Sequence, residues 1–466
     1  MQPEQWDAIV IGAGQAGPAL SARLAEAGLR VALVERQRVG GTCVNTGCTP
    51  SKTLIASAAV AHLVARANEF GVNARPAPTA DYRAVHQRVH AVADESRASL
   101  SAWLAGTEGL TLIQGNARFV DSHTVSVGER QLSAPRIFLN VGCRPVEPPW
   151  ARAAGVPFLT TDTFFDLREL PSDLLIVGGG PVGLELGQAL QRLGSNVTVI
   201  ERAGRLLPRE DEDAAKVVQE SLVADGVRFC LSADCFHLER GSAGPRLTFL
   251  HGGDRVAVEG SHVLVAVGRQ PNTENLGLDV AGVAIDERGF IRTDGQLRTT
   301  QPGIWALGDV NGRGAFTHTS WNDYEVVASA VLKGEERSVE GRAVRYAVFT
   351  DPPLARIGAS MQDVSGTGKG VLMGVRPMTR VRRAVERGET RGFMRVLADA
   401  DTGQVLGATF VCASADEVIH PLVNAMSTGT TVQQLAAVPA IHPTISELVP
   451  TLLQELQPLA SPSSQA

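Results

Sequence analysis

Short apolar runs broken by glycine set the rhythm of this chain. Asp7 to Ile11 is apolar, stops at GAGQAG and gives way to a helix-like PALSARLAEAG; a second apolar run, Val31 to Val34, ends at Glu35. The same grammar returns in LLIVGGGPVGLELGQALQRLGSNVTVIER, where VTVI leads to Glu201. One spacing separates both Gly12 from Glu35 and Gly178 from Glu201. Strand, glycine turn, helix, strand and acid therefore occur twice. Further strands are expected at FLNVGCRP, ending in a turn at Gly142, at VAVGRQPN, and at IWALGDVNG, which places Asp309 after its strand. Beyond about residue 341 strands and helices alternate, and Asp401, Thr402 and Gly403 form a hairpin turn within RGFMRVLADADTGQVLGATFV.

Each repeated unit fits a dinucleotide-binding turn. Gly12 permits the tight turn, Gly14 lets the backbone approach a pyrophosphate at the helix N-terminus, and Gly17 allows close helix–strand packing. Glu35 can accept hydrogen bonds from a ribose. Gly178, Gly180, Gly183 and Glu201 repeat these positions. A glycine-rich turn alone is weak evidence; two in matching contexts imply two bound dinucleotides, the simplest pair being a flavin and a nicotinamide.

Composition narrows the class. A chain of 466 residues exceeds one ordinary core, so several domains are expected. The net charge of −6 argues against nucleic acid or an anionic membrane as partner. No apolar run reaches membrane-spanning length, and the first residues lack a basic leader, so a cytoplasmic protein is expected. Six cysteines in so long a chain are no extracellular framework, and any disulfide is expected to be catalytic or sensory.

Two cysteines stand five residues apart in GGTCVNTGCTPSK. The residues alone leave a redox disulfide, a metal clip and buried thiols open. In one continuous helix Cys43 and Cys48 would lie about 7.5 Å apart along the axis with diverging side chains, whereas a disulfide needs Cα atoms within roughly 4.4–6.8 Å. Gly47 can relax the backbone between them. Thr49 is the expected N-cap and Pro50 the first residue of a helix PSKTLIASAAVAHLVARA. Cys48 would then sit at a helix N-terminus, which favours thiolate, with Lys52 one turn on. Zinc would need further ligands at metal spacing, and no such cluster accompanies the pair. CLSADC repeats the offset at Cys230 and Cys235 without glycines or a Pro-opened helix, and these read as structural thiols despite His237 nearby. Cys143 and Cys412 read as packing residues.

With these motifs in this order from about residue 6 to 455, the chain resembles the class I pyridine nucleotide–disulfide oxidoreductases, which include lipoamide dehydrogenase, glutathione reductase and mercuric reductase. GGTCVN and LPREDED look most like the mercuric-reductase-like branch, which includes the reactive-chlorine-resistance flavoproteins. The resemblance implies an α/β fold of two Rossmann-like domains, for FAD and NAD(P), plus a C-terminal α+β dimerisation domain. Expected boundaries are 1–150 and 271–340 for the FAD domain, 151–270 for the NAD(P) domain, 341–455 for the dimerisation domain and 456–466 for a tail, with ASPSSQA frayed.

The resemblance further implies that Cys48 faces the flavin and Cys43 the substrate, with Lys52 near the reactive flavin nitrogen and Glu185 its carboxylate partner. Gly41, Thr42, Lys52, Gly115, Gly142, Asp309 and Thr317 would join the first turn around FAD, Asp309 on the ribityl chain. Arg202 and Gly268 would join the second turn around the nicotinamide cofactor. His442 and Glu447, in AIHPTISEL, match the family's C-terminal pair, which enters the partner subunit's active site of a homodimer. The local reading is compatible: Thr444 and Glu447 form a T-x-x-E capping box.

The expected function is electron transfer from NAD(P)H through FAD to Cys43–Cys48 and on to a small-molecule disulfide or thiol-reactive oxidant. Alternatives are reduction of Hg(II), Cu(II) or an electrophile, dihydrolipoyl dehydrogenase activity, and a non-catalytic redox sensor. Mercuric reductases end in a cysteine pair, whereas the last cysteine here is Cys412, which favours disulfides. No metal site is expected. Glu201 favours NADH because a carboxylate repels a 2′-phosphate, although Arg202 and Arg205 follow it. The basic run RVRRAVERGETR, interspersed with Glu386 and Glu389, reads as a solvated strand edge.

Overall fold

The computed structural model describes residues 2–73, 79–365 and 370–459. Ala8–Ile11 lies at the centre of a five-stranded parallel sheet ordered Ile304–Ala306, Ile137–Leu139, Ala8–Ile11, Val31–Glu35, Leu110–Gln114. Both faces of the central strands are covered, which is why they read as unbroken apolar runs. The strand before Asp309 comes from much later in the chain, so the sheet is closed by a segment that has left and returned.

The departure and return are visible as one small structure. Cys143–Pro145 on the way out pairs antiparallel with Arg269–Pro271 on the way back. Between them lies a second parallel sheet, Arg228–Cys230, Asn196–Ile200, Asp173–Val177, His262–Val265. A three-stranded antiparallel sheet, Ala233–Arg240, Pro245–His251 and Asp254–Glu259, packs beside it.

Residues beyond 341 build a six-stranded sheet of antiparallel neighbours. The expected hairpin joins Phe393–Asp399 to Val405–Val411, with Gly403 at φ 68°. Asp399 accepts the Asp401 and Thr402 backbone N–H groups and so tightens that turn.

Two local expectations change. The basic run is a helical turn, Arg382–Glu386, rather than a strand edge. Val381 and Ala384, three apart, are buried against Met378, and helical spacing alone puts both on one face. The tail is not free at its start: Gln457–Pro458 pairs with Leu372–Met373, and the Leu459 N–H donates to the Val371 carbonyl. ASPSSQA lies outside the described residues.

Candidate active site

The two glycine turns are built alike. At the first, a Cβ on Gly12 would sit 2.3 Å from the Asn140 carbonyl and one on Gly17 would sit 2.1 Å from the Gly12 carbonyl. At the second, Gly178 and Gly183 would clash at 2.4 Å with the Ala266 carbonyl and 2.3 Å with the Gly178 carbonyl. Gly12 and Gly178 also have φ of 102° and 117°, which a side chain would strain. Each acid closes its turn. Glu35 accepts N–H groups of Ala13 and Gln37, both at 2.8 Å; Glu201 accepts those of Gly179 and Ala203.

Surroundings separate the two turns. A Cβ on Gly14 would meet the Asn140 side chain at 3.0 Å, and Gly41 of the cysteine loop packs its would-be Cβ 2.8 Å from the Gly14 Cα. Gly180, by contrast, has ordinary φ, and a Cβ there meets nothing within 4 Å. Among the described residues no neighbour requires glycine at 180, which leaves room for a pyrophosphate to approach the backbone. Gly142 and Gly268 likewise face open space, at φ 63° and 118°. These residues fit FAD at the first turn and a nicotinamide dinucleotide at the second. Gly115 differs, because its would-be Cβ already meets Val127 at 2.6 Å.

The cysteine loop is fastened to the first turn. The Gly40 N–H donates to the Ala13 carbonyl at 2.7 Å, and the Gln15 amide to the Gly40 carbonyl. Cys43 lies in a short helix, Gly41–Asn45; the helix Cys48–Ala65 starts at the second cysteine itself. The expected N-cap at Thr49 is therefore corrected to Gly47, whose φ of −129° and ψ of −117° break the helical path. A Cβ at Gly47 would lie 2.9 Å from the Thr42 carbonyl. This break turns the two cysteines toward each other.

Both cysteines are free thiols, and each lies close enough to shift the other's ionisation. Cys48 is lowered to about 6, chiefly by the hydrogen bond from Cys43, then by Thr317 and by the charge of Lys52. Burial opposes the shift without cancelling it. Cys43 moves the other way, well above the ordinary thiol range, because it donates to Cys48 and is partly buried. The pair therefore holds one thiolate and one thiol at neutral pH. Thr317 Oγ1 lies 3.4 Å from Cys48 Sγ and opens the helix Thr317–Lys333.

Lys52 Nζ sits 2.8 Å from Glu185 Oε2, and Glu185 also accepts the Phe349 N–H at 2.8 Å. The Lys52 ammonium lies 4.4 Å over the Phe349 ring. His442 Nδ1 meets Glu447 Oε2 at 2.8 Å, and the imidazole is 77% exposed. The capping box is half made: Thr444 accepts the Glu447 N–H, but the Glu447 carboxylate is spent on His442. Among the described hydrogen bonds and ion pairs, none joins His442 to Cys43 or Cys48 of its own chain.

Asp309 is half-buried, and burial pushes its carboxyl up while the Arg269 guanidinium opposes this. Its turn rests on residues sequence reasoning passed over. Asp323, 1% exposed, accepts the Gly308 N–H and the Asn311 amide and pairs with Arg342 at 2.8 Å. Asn140 accepts the Gly17 N–H at 2.9 Å and donates to the Leu307 carbonyl at 3.0 Å, tying the two flavin-site turns together. Arg269 reaches from the returning strand to Thr42 Oγ1 at 3.1 Å and to the Cys143 carbonyl. The only sequence signal for these was their place beside motifs already singled out. Among the described residues no helix is long and apolar enough to cross a membrane, and no three His, Cys, Asp or Glu side chains are grouped to hold a metal.

Family models cover almost the whole chain. Residues 6–333 match the pyridine nucleotide-disulphide oxidoreductase model and residues 344–453 its dimerisation domain. The chain belongs to this family. It is 34% identical over 458 residues to the probable pyridine nucleotide-disulfide oxidoreductase RclA of Escherichia coli, covering 95% of this chain and 97% of that protein. The dihydrolipoyl dehydrogenase of Halobacterium salinarum is also 34% identical, covering 95% and 94%. The mercuric reductase of Lysinibacillus sphaericus is 31% identical, covering 95% of this chain and 81% of that protein. The solved HOCl-induced flavoprotein disulfide reductase RclA from Escherichia coli superposes with a TM-score of 0.86 at 32% identity, covering 97% of this chain and all of that one. The protein is thus a flavoprotein disulfide oxidoreductase that draws electrons from NAD(P)H through FAD.

Proposed function

We propose that Cys43 and Cys48 are the redox pair through which this enzyme reduces a small-molecule disulfide or related thiol-reactive oxidant, with NADH as the preferred donor. The observation that carries this reading is the setting of the pair: Gly47 breaks the path between the two cysteines, a long helix starts at Cys48, and Thr317 Oγ1 lies 3.4 Å from Cys48 Sγ, which together favour thiolate at Cys48 over Cys43. Gly12, Gly14, Gly17, Glu35, Gly41, Thr42, Lys52, Gly115, Gly142, Asp309 and Thr317 would hold FAD, which when bound would supply the passage of an electron pair from nicotinamide to disulfide. The chain's residues do the rest.

In the oxidised enzyme Cys43 and Cys48 form a disulfide. Two electrons and one proton break that bond and leave the Cys48 thiolate beside Lys52 and the Cys43 thiol toward the substrate. The imidazole of His442 of the partner subunit takes the Cys43 proton as Cys43 attacks one sulfur of the acceptor disulfide, and the other sulfur leaves as thiolate. His442 of the partner subunit in a homodimer protonates that leaving thiolate, while Glu447 fixes the imidazole tautomer. Cys48 then attacks Cys43 in the mixed disulfide, expels the second product thiolate and restores the internal disulfide. The exposed His442 suits such a role, since within its own chain it has only Glu447 as a described partner.

Glu201 and Arg205 support NADH. Arg205 donates to the carbonyls of Glu210 and Pro208 at 2.7 and 2.8 Å, which engages it away from any 2′-phosphate. Arg202 is exposed, leaving one cation beside the Glu201 carboxylate. A cytoplasmic setting, with neither nucleic acid nor membrane as partner, suits the acidic surface.

A second reading, reduction of a metal ion, is favoured by one observation: RclA has also been solved as a Cu(II) complex, 31% identical with a TM-score of 0.86. The deciding experiment is an anaerobic assay of the FAD-loaded dimer with NADH or NADPH against low-molecular-weight disulfides, Cu(II) and Hg(II). Faster NADH oxidation with a disulfide supports the first reading, and turnover with metal ions alone contradicts it.

A further inference from the structure

LPREDED, the acidic stretch from Leu207 to Asp213, has no part in the reaction described above, yet it is one of the most heavily bonded places in the molecule. Arg395 of the C-terminal sheet, 5% exposed, pairs with Asp211 at 2.5 Å and Asp213 at 2.6 Å. Arg356, 9% exposed, donates to the Arg209 carbonyl at 2.9 Å and lies 3.7 Å from Glu210. Asp211 also accepts the Met361 N–H at 3.1 Å. Such buried pairs fix geometry more surely than they add stability. They fasten the nicotinamide-domain loop to the dimerisation domain.

From this junction a chain of contacts runs to the redox pair. Tyr346, on the strand Arg345–Val348, donates its hydroxyl to the buried Glu210 carboxylate. Its ring stacks on Phe316 with centroids 5.2 Å apart and planes 6° from parallel. On its other side Phe316 stacks on His318 at 5.4 Å and 10°, and His318 Nε2 is held 2.8 Å from the Arg345 carbonyl. Between Phe316 and His318 lies Thr317, the hydroxyl beside Cys48 Sγ. Of the two aromatic neighbours of the residue beside the Cys48 sulfur, Phe316 packs directly on one tyrosine, and that tyrosine is bonded to one acid across a domain junction.

We propose that Tyr346 is a positioning residue that transmits the placement of the Glu210 loop through Phe316 to Thr317, and thereby sets how well the Cys48 thiolate is hydrogen-bonded. The proposal rests on the reading of Cys48 as the flavin-facing thiolate. It gives LPREDED a role in tuning the redox pair, and makes the seat of the nicotinamide domain felt at the sulfur.

The groups facing each member are few. Cys48 is faced by Cys43, Lys52 and the neutral Thr317. Tyr346 is faced by Glu210 and Arg356, and Glu210 additionally by Asp211. His318 has Arg345 and Arg342 near it. Burial raises the Glu210 carboxyl while the Tyr346 hydroxyl lowers it, so losing that hydroxyl leaves an under-satisfied buried acid. The loop must then relax, and the ring stack with it.

The test is a pH titration of the long-wavelength absorption of thiolate beside oxidised flavin, in the anaerobic two-electron-reduced holoenzyme. Tyr346→Phe keeps the ring and removes the Glu210 bond; Glu210→Gln keeps a polar partner and removes the charge. Both are expected to move the midpoint upward, by about threefold in the thiol–thiolate equilibrium, with Tyr346→Leu moving it further. Thermal unfolding of each variant is followed alongside, because loss of stability with an unmoved midpoint is what a merely structural role would give. An unmoved midpoint in Tyr346→Phe, with the band present, overturns the proposal and leaves Cys48 as the thiolate. Absence of the band in the unaltered holoenzyme overturns the Cys48 reading itself.

Discussion

Cys43 and Cys48 are five residues apart in sequence, as are Cys230 and Cys235, yet the structure gives the two pairs opposite surroundings. Around the first pair, the short helix Gly41–Asn45 ends, Gly47 breaks the path, and a long helix starts at the second sulfur. Thr317 arrives from elsewhere, and Lys52 one turn on in the same helix adds its charge, to favour one thiolate. Around the second pair, Cys230 ends a parallel strand and its carbonyl accepts the Glu201 N–H. Cys235 sits in an irregular part of the next strand at φ 53°, exposed, and burial raises the Cys230 thiol. Spacing allows a pair to meet; glycine, helix start, a nearby charge and a hydroxyl from afar set the two pairs apart.

Removing each pair gives the sharpest contrast. Cys43→Ser/Cys48→Ser is expected to lower disulfide reductase turnover by at least about a thousandfold, because the nucleophile is gone. Cys230→Ser/Cys235→Ser should stay within about twofold of the unaltered enzyme, those sulfurs having no step to perform. Comparable losses in steady-state assays of the two double variants would erase the distinction. His442→Ala comes next, with an expected loss of about a hundredfold on disulfides, in the range of general acid catalysis. Metal-ion reduction, which releases no thiolate product, should be nearly unaffected, and equal losses on both substrates would remove His442 from protonation.

Smaller effects probe the groups around Cys48. Lys52→Met should weaken the Cys48 thiolate and leave Glu185 an unpaired, nearly buried carboxylate, lowering turnover about tenfold. Stopped-flow reduction by NADH reads that step directly. Thr317→Val, which keeps shape and removes the hydroxyl, should raise the Cys48 titration by about half a unit. No rise would mean that Cys43 and Lys52 alone hold the thiolate.

What could be read from sequence depended on how local each determinant is. The glycine turns, the acids closing them and the cysteine loop each lie within one strand–turn–helix unit, and the structure builds them as that unit requires. The His442–Glu447 contact followed from the family resemblance of AIHPTISEL, whereas its local pattern suggested only the capping box. Thr49 was misplaced as N-cap because its side chain and Pro50 suit a helix start, whereas the loop contacts of Gly47 begin the helix two residues sooner. The basic run misled because its arginines hide the burial of Val381 and Ala384. Asn140, Arg269, Asp323 and Tyr346 act across more than ten residues, Arg269 and Tyr346 also across domains, and no short window contains both ends of their bonds.

The central claim is that the two redox cysteines are unequal, and it can be tested in two single variants of the FAD-loaded enzyme. Cys43→Ser retains a hydroxyl able to donate to Cys48 and cannot form the disulfide, so it should show the long-wavelength thiolate–flavin absorption without reductant. That absorption should fade as pH falls through about 6, where Cys48 gains its proton. Cys48→Ser should lack it at every pH. Absorption in Cys48→Ser and none in Cys43→Ser would contradict the account, and would place the flavin-facing thiolate at Cys43.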